Sequence, residues 1–129
     1  SGFVGVIPSI IIGLVAGILS NFVANWRATR TKIDDTLDVF ACHGAAGIWG
    51  ALATGLFASA GINGIDGLLY GNPMQLVYQL IAVIAVVAYT FVGSYVLLKL
   101  ISMFKNIRVS KEDEEKGLDI SHHREEAYA

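Results

Sequence analysis

The sequence predicts an all-α membrane protein with three transmembrane helices. Only 16% of its 129 residues are charged, against about 25% in soluble domains. Three long stretches contain no Asp, Glu, Lys or Arg: residues 2–24, 39–60 and 76–98. Each stretch is long enough to cross about 30 Å of hydrocarbon as a helix, which takes about 20 apolar residues. The charges therefore lie between and after the apolar stretches, as in a multi-pass membrane protein.

The first predicted span covers about residues 2–26. A cleavable signal sequence is disfavoured, because the apolar stretch is too long and no basic residue precedes it. Ser1 is not an initiator methionine. We therefore expect the chain to be a piece of something longer.

The second and third predicted spans cover about residues 39–60 and 74–100. Pro73, just before the third, suits the first turn of a helix. We expect residues 1–106 to form the membrane region and residues 107–129 a cytoplasmic tail. The single cysteine, Cys42, excludes an internal disulfide and is expected to pack as a small hydrophobic residue.

The basic residues predict the orientation of the three spans. The 27–38 connection and the segment after residue 98 share one side of the membrane, and all nine basic residues lie there: Arg27, Arg30, Lys32, Lys99, Lys105, Arg108, Lys111, Lys116 and Arg124. Cytoplasmic flanks carry the excess of Lys and Arg. The N-terminus is therefore predicted to face out and the C-terminus to face the cytoplasm.

His43 interrupts the second apolar stretch. On a regular helix it shares a face with Gly47, Gly50 and Thr54, and such small residues let neighbouring helices approach closely. One interpretation is a neutral histidine that only packs against another helix. The other is an imidazole that lines a pathway, where one nitrogen donates a hydrogen bond and the other accepts one.

Three carboxylates, Asp34, Asp35 and Asp38, precede this span. The positive end of the helix dipole favours carboxylates there, and one of them can cap the helix. We expect capping together with pairing to Arg27, Arg30 or Lys32. The alternative is a vestibule that attracts cations.

The tail is polar and strongly charged, and composition alone favours a disordered, solubilising segment. Residues 111–116 could form about one helical turn, which Gly117 would end. The chain contains no nucleotide-binding loop, zinc-ligand spacing or nucleophile elbow. We therefore expect no enzyme activity, no cofactor and no metal. The tail is net acidic, which also disfavours nucleic acid as a partner.

Two motifs resemble those of the ammonium transporter family. The stretch "DDTLDVFACHGAAGIWGALATGLFA", residues 34–58, is similar to the family's tenth helix, with an Asp pair followed by L-D-V-F-x-x-H-G. The stretch "EDEEKGLDISHHREEAY", residues 112–128, resembles the C-terminal signature G-L-D-x-x-x-H-G-E-x-A-Y. The resemblance covers essentially the whole chain, as helices nine to eleven and the tail.

The resemblance implies an eleven-helix fold in the cell membrane, assembled as a homotrimer with one pore per subunit. His43 matches a pore histidine whose partner histidine belongs to a helix that this chain does not contain. Asp34, Asp35, Asp38 and Phe40 match the helix start at the cytoplasmic lip. A regulatory tail that binds a PII-type signalling protein is implied by matches at Gly117, Leu118, Asp119, His123, Glu125 and Tyr128.

The function that the resemblance implies is transport of ammonium or ammonia through a histidine-lined pore. One alternative is an ammonium sensor that signals through the tail with little transport. Another is a structural three-helix subunit. The tail departs from the family signature at Arg124, where the family has glycine. We expect this change to hinder left-handed backbone angles and to add charge.

Overall fold

Three long helices dominate the structure, a computed structural model that describes residues 2–125. They are Val6–Arg30, Phe40–Phe57 and Pro73–Phe104, and each is long and apolar enough to cross a membrane. The described residues contain no β-strand. The prediction of an all-α protein with three spans is therefore confirmed.

Helix α1 (Val6–Arg30) begins and ends at residues that suit the two ends of a helix. Pro8 lies in the first turn, where its missing N–H removes no intrahelical hydrogen bond. The helix continues past the expected end at residue 26 and includes Arg27 and Arg30, because basic side chains interact favourably with the negative end of the helix dipole. Extended backbone at Thr31 ends it, and the Thr31 N–H and hydroxyl both donate to the Arg27 carbonyl.

The second span has two parts. A π-helical segment, Phe40–Ala45, continues directly into α2 (Ala46–Phe57), and α1 packs against both. Trp49 Nε1 donates a hydrogen bond to the main-chain carbonyl of Ile12, at 3.0 Å. A partly buried indole N–H usually has such an acceptor, and this bond joins α2 to the middle of α1.

The connection to the third span contains two short helices, α3 (Ala60–Asn63) and the 3₁₀ helix Leu68–Tyr70. Asp66 is the isolated charge in this part of the sequence, and the structure shows its role. Its Oδ1 accepts a hydrogen bond of 2.7 Å from the N–H of Ala60, the first residue of α3. The carboxylate thus satisfies a donor that the start of a helix leaves free.

Helix α4 (Pro73–Phe104) is the third span, and it extends a few residues beyond the expected 74–100. It begins at a proline, as the sequence predicts. Near its start it lies close to α2, because a Cβ added to Gly55 would be 3.0 Å from Leu76 Cα. A glycine at this point lets the two backbones approach closely.

The tail contains two short helical segments, α5 (Lys111–Lys116) and the π-helical residues Asp119–His123. Ser110 caps α5, since its Oγ accepts a hydrogen bond from the N–H of Asp113. Gly117, with φ +91°, ends α5. The expected helical turn with its glycine stop is confirmed.

Contacts divide the chain into two units, Ser1–Val87 and Ala88–Ala129. The division falls inside α4. The boundary that we expect between residues 106 and 107 is of another kind, because it separates residues in the membrane from residues in the cytoplasm. It stays a prediction.

The described residues form almost no apolar core. The buried apolar residues are three alanines, Ala41, Ala53 and Ala58, and no large side chain is fully buried in the part that the structure describes. The long helices instead present Ile, Leu, Val and Phe side chains outward. A surface of this kind requires lipid or further helices around it.

Candidate functional site

The site begins with the capping of the second span by Asp35. Its Oδ1 accepts from the N–H of Val39 and its Oδ2 from the N–H of Phe40, both at 2.9 Å. These donors belong to the start of the helix and have no partner within it. The hydrogen bond from Phe40, then that from Val39, and the charge of Arg27 lower the pKa of Asp35, against the opposing effect of burial. Asp35 is thus an ionised cap.

Asp38 forms an ion pair with Arg27 on α1. Its Oδ1 accepts from both Nη2 and Nε of Arg27, at 2.9 and 3.2 Å. The third carboxylate, Asp34, accepts only from the hydroxyl of Thr36 among the described residues. The expectation of capping together with pairing is therefore confirmed, and the two roles fall on different residues.

His43 lies in the π-helical segment, five residues after Asp38. Its side chain is exposed in this chain, and the described residues offer it no hydrogen bond. The face that carries the imidazole is therefore open to a partner.

Sequence reasoning missed the π-helical geometry around His43. The expected face, His43 with Gly47, Gly50 and Thr54, assumed a regular α-helix from the start of the span. A π-helical turn is wider than an α-helical one, and such turns are frequent at functional sites. Gly44 lies in this segment, and a Cβ there would lie 2.9 Å from the ring of Phe40, a contact that the sequence alone does not predict.

Phe40 therefore has a local packing role. Its ring covers Gly44, the residue that follows His43, while its main-chain N–H donates to Asp35. Asp35 and Asp38 thus lie in the connection just before the second span, and Phe40 and His43 lie in its first turns.

The tail residues form a separate local group. Ser121 Oγ donates to the carbonyl of Gly117 at 2.9 Å, and the N–H of Glu125 donates to the carbonyl of Asp119 at 3.0 Å. Leu118 precedes the π-helical segment, which includes His123. Arg124 adopts left-handed angles, with φ 57° and ψ 36°. Tyr128 lies outside the described residues.

The described residues contain no group of three or more His, Cys, Asp and Glu side chains that could hold a metal. The structure places one imidazole and three carboxylates at the start of the second span. Proton transfer and hydrogen bonding to a small polar molecule are within reach of these groups.

Comparison with known families decides where the chain belongs. The model of the Ammonium Transporter Family matches residues 1–128. The chain belongs to the ammonium transporter family.

Three relatives of this family member, two from archaea and one from a bacterium, show the extent of the similarity. The chain is 46% identical over 128 residues to ammonium transporter Amt1 of Archaeoglobus fulgidus. The alignment covers 99% of this chain and 32% of that protein. It is 44% identical over 131 residues to a putative ammonium transporter of Methanothermobacter thermautotrophicus, with the same shares. It is 38% identical over 130 residues to an ammonium transporter of Bacillus subtilis, again with 99% and 32% covered.

The chain thus spans about a third of the length of these relatives. Three membrane-length helices in a third of the length are consistent with a parent fold of eleven helices.

Proposed function

We propose that the full-length protein transports ammonium or ammonia across the cell membrane along a path that includes His43. Membership of the ammonium transporter family carries this proposal. The placement of His43 supports it, since the imidazole is exposed on a membrane-length helix and has no hydrogen-bond partner among the described residues. This chain would supply one side of the path.

The physical reason for a histidine follows from desolvation. Moving an intact ammonium ion through a dry, apolar path is costly, because nothing there replaces its hydration. If the proton separates from ammonia, most of that cost disappears. A neutral imidazole can bind ammonia by a hydrogen bond and can take up a proton at one nitrogen while it releases one from the other.

The orientation of the path rests on the distribution of basic residues. All nine lie on the side that holds the 27–38 connection and the tail, which favours that side as cytoplasmic. The helix start at Asp35 and Asp38 would then form the cytoplasmic lip. Both of these carboxylates are engaged in the structure by helix capping and by Arg27, which leaves Asp34 to attract cations.

Uptake of labelled methylammonium by cells that lack other ammonium transporters tests the proposal. In the full-length protein, His43→Leu should reduce uptake at least about tenfold or change the current carried per molecule, because a proton-transfer group typically contributes 10²–10⁴-fold. Cys42→Ala, which changes the exposed neighbour of His43, is the matched control. Uptake and current that are both unchanged in His43→Leu would refute the role of His43.

The tail is proposed to regulate transport by contacting neighbouring subunits of a homotrimer and a PII-type signalling protein. Its two helical segments support an ordered role, since a purely solubilising tail needs none. Binding of a purified PII-type protein to the full-length protein with and without residues 117–129 tests this. Ammonium-dependent binding without any flux would instead favour the sensor.

A further inference from the structure

Arg27 makes three side-chain hydrogen bonds that join α1 to the connection before His43. Two go to Asp38 Oδ1, and the third goes from Nη1 to the main-chain carbonyl of Ile33, at 3.1 Å. The side chain of Arg27 is only 18% exposed, and that of Asp38 is 38% exposed. A mostly buried guanidinium in which each of the three nitrogens donates a hydrogen bond holds its acceptors in a fixed geometry.

Asp38 is the point at which the backbone turns into the second span. It has φ +51°, in the left-handed region that residues other than glycine rarely adopt. Its N–H donates to the carbonyl of Asp35, and its own carbonyl accepts from the N–H of Cys42, at 2.9 Å. Cys42 directly precedes His43. The side chain that Arg27 holds therefore belongs to the residue that starts the turn leading to the imidazole.

We propose that Arg27 is a positioning residue for His43, and that its guanidinium fixes the left-handed turn at Asp38 and so sets the depth and rotation of the imidazole. α1 packs against the π-helical segment that contains His43, so Arg27 is anchored on the helix against which that segment lies. A wide π-helical turn has an alternative, the ordinary α-helical turn, which would rotate His43. The contact with Asp38 selects between them from outside the span.

The neighbouring arginine provides a matched control. Arg30 lies in the same last turn of α1, yet it is exposed and makes no ion pair with any described residue. Arg27→Gln and Arg30→Gln remove the same charge from the same side of the membrane. A difference between them therefore reports the contact and not the general electrostatics.

The inference rests on the proposed pathway, so its test includes a measurement that does not depend on transport. In the full-length protein labelled with ¹⁵N-histidine, the imidazole nitrogen signals of His43 report its hydrogen bonds and tautomer, and His43→Leu assigns them. Arg27→Gln should displace these signals, and Arg30→Gln should leave them in place. Arg27→Lys should give an intermediate displacement, because one ammonium group cannot reproduce the two hydrogen bonds to Asp38 Oδ1 together with the one to the Ile33 carbonyl.

Transport by the same variants gives the second measurement. A displaced imidazole should lower the maximal rate about tenfold to a hundredfold, with a smaller change in the half-saturating concentration.

His43 signals that stay in place in both Arg27→Gln and Arg27→Lys would overturn the inference, whatever the transport rates. If His43→Leu itself leaves transport unchanged, the proposed pathway fails, while displaced signals in Arg27→Gln still support the positioning role. If Arg27→Gln does not fold, Arg27→Lys and Asp38→Asn decide the question.

Discussion

Arg124 shows how a single residue can conflict with its backbone. The sequence suggested that an arginine in place of the family's glycine would hinder left-handed angles, yet the structure places Arg124 in that region. The N–H of Glu125 donates to the carbonyl of Asp119, which closes the end of the π-helical segment. The closing turn imposes the left-handed geometry, and the arginine bears a steric cost of about 1–2 kcal/mol.

Arg124→Gly should therefore stabilise the end of the tail by about 1 kcal/mol, because glycine adopts left-handed angles without strain. In the full-length protein, amide hydrogen exchange of residues 117–125 should slow by about fivefold. Arg108→Gly, which removes the same charge at a residue without positive φ, should produce no such slowing. Equal exchange rates in wild type and Arg124→Gly would show that the tail does not hold this turn.

The three carboxylates before the second span also differ from one another in what each side chain contacts. Their number and position predict capping and ion pairing, but not which residue does which. Asp35 caps, because the following turn brings its two oxygens to the N–H groups of Val39 and Phe40. Asp38 pairs, because its left-handed backbone directs its side chain to Arg27.

Close approaches of backbone define the elements between the second and third spans. Gly67 lies against the end of α2, where an added Cβ would be 2.7 Å from the carbonyl oxygen of Gly55 and 2.8 Å from that of Leu56. Its N–H donates to the carbonyl of Ala58, at 2.8 Å. Main-chain atoms surround the position, so no side-chain movement can make room for a methyl group.

Gly67→Ala is expected to lower the free energy of unfolding by about 1–3 kcal/mol, the usual cost of overpacking. The thermal unfolding midpoint of the full-length protein in detergent measures it. Gly61→Ala is the control within the same connection, because its Cβ would meet only Ser59 Oγ, at 3.7 Å. A midpoint for Gly67→Ala that matches the Gly61→Ala value would contradict the close approach.

At the scale of the whole molecule, the outward-facing apolar side chains show what the chain needs around it. The described part of α1 and α4 has no buried residue, although both helices are strongly apolar. The imidazole of His43 also faces outward. Lipid can cover the apolar side chains, whereas an ionisable side chain within a membrane faces other helices or a water-filled cavity.

Deleting residues 117–129 from the full-length protein should change the maximal rate of ammonium uptake and abolish binding of a PII-type protein. Contacts of a solvent-exposed tail are individually weak, on the order of 1 kcal/mol, but several together can shift a two-state entrance. A variant that replaces the same residues with a Gly-Ser sequence of equal length controls for chain length. Normal uptake and normal PII-type binding after deletion would leave the tail a solubilising extension.

The sequence by itself determined the three spans, because an apolar stretch of membrane length leaves a helix as the way to satisfy every backbone hydrogen bond. It also determined the helical turn before Gly117 and, through two motifs, the family. Only the tertiary structure decided that the turn around His43 is π-helical, that Arg27 rather than Arg30 holds Asp38, and that Trp49 bonds to Ile12. The π-helical turn is a local choice of hydrogen-bond pattern, and the other two features are contacts between separate elements. Hydropathy and spacing carry no information about either.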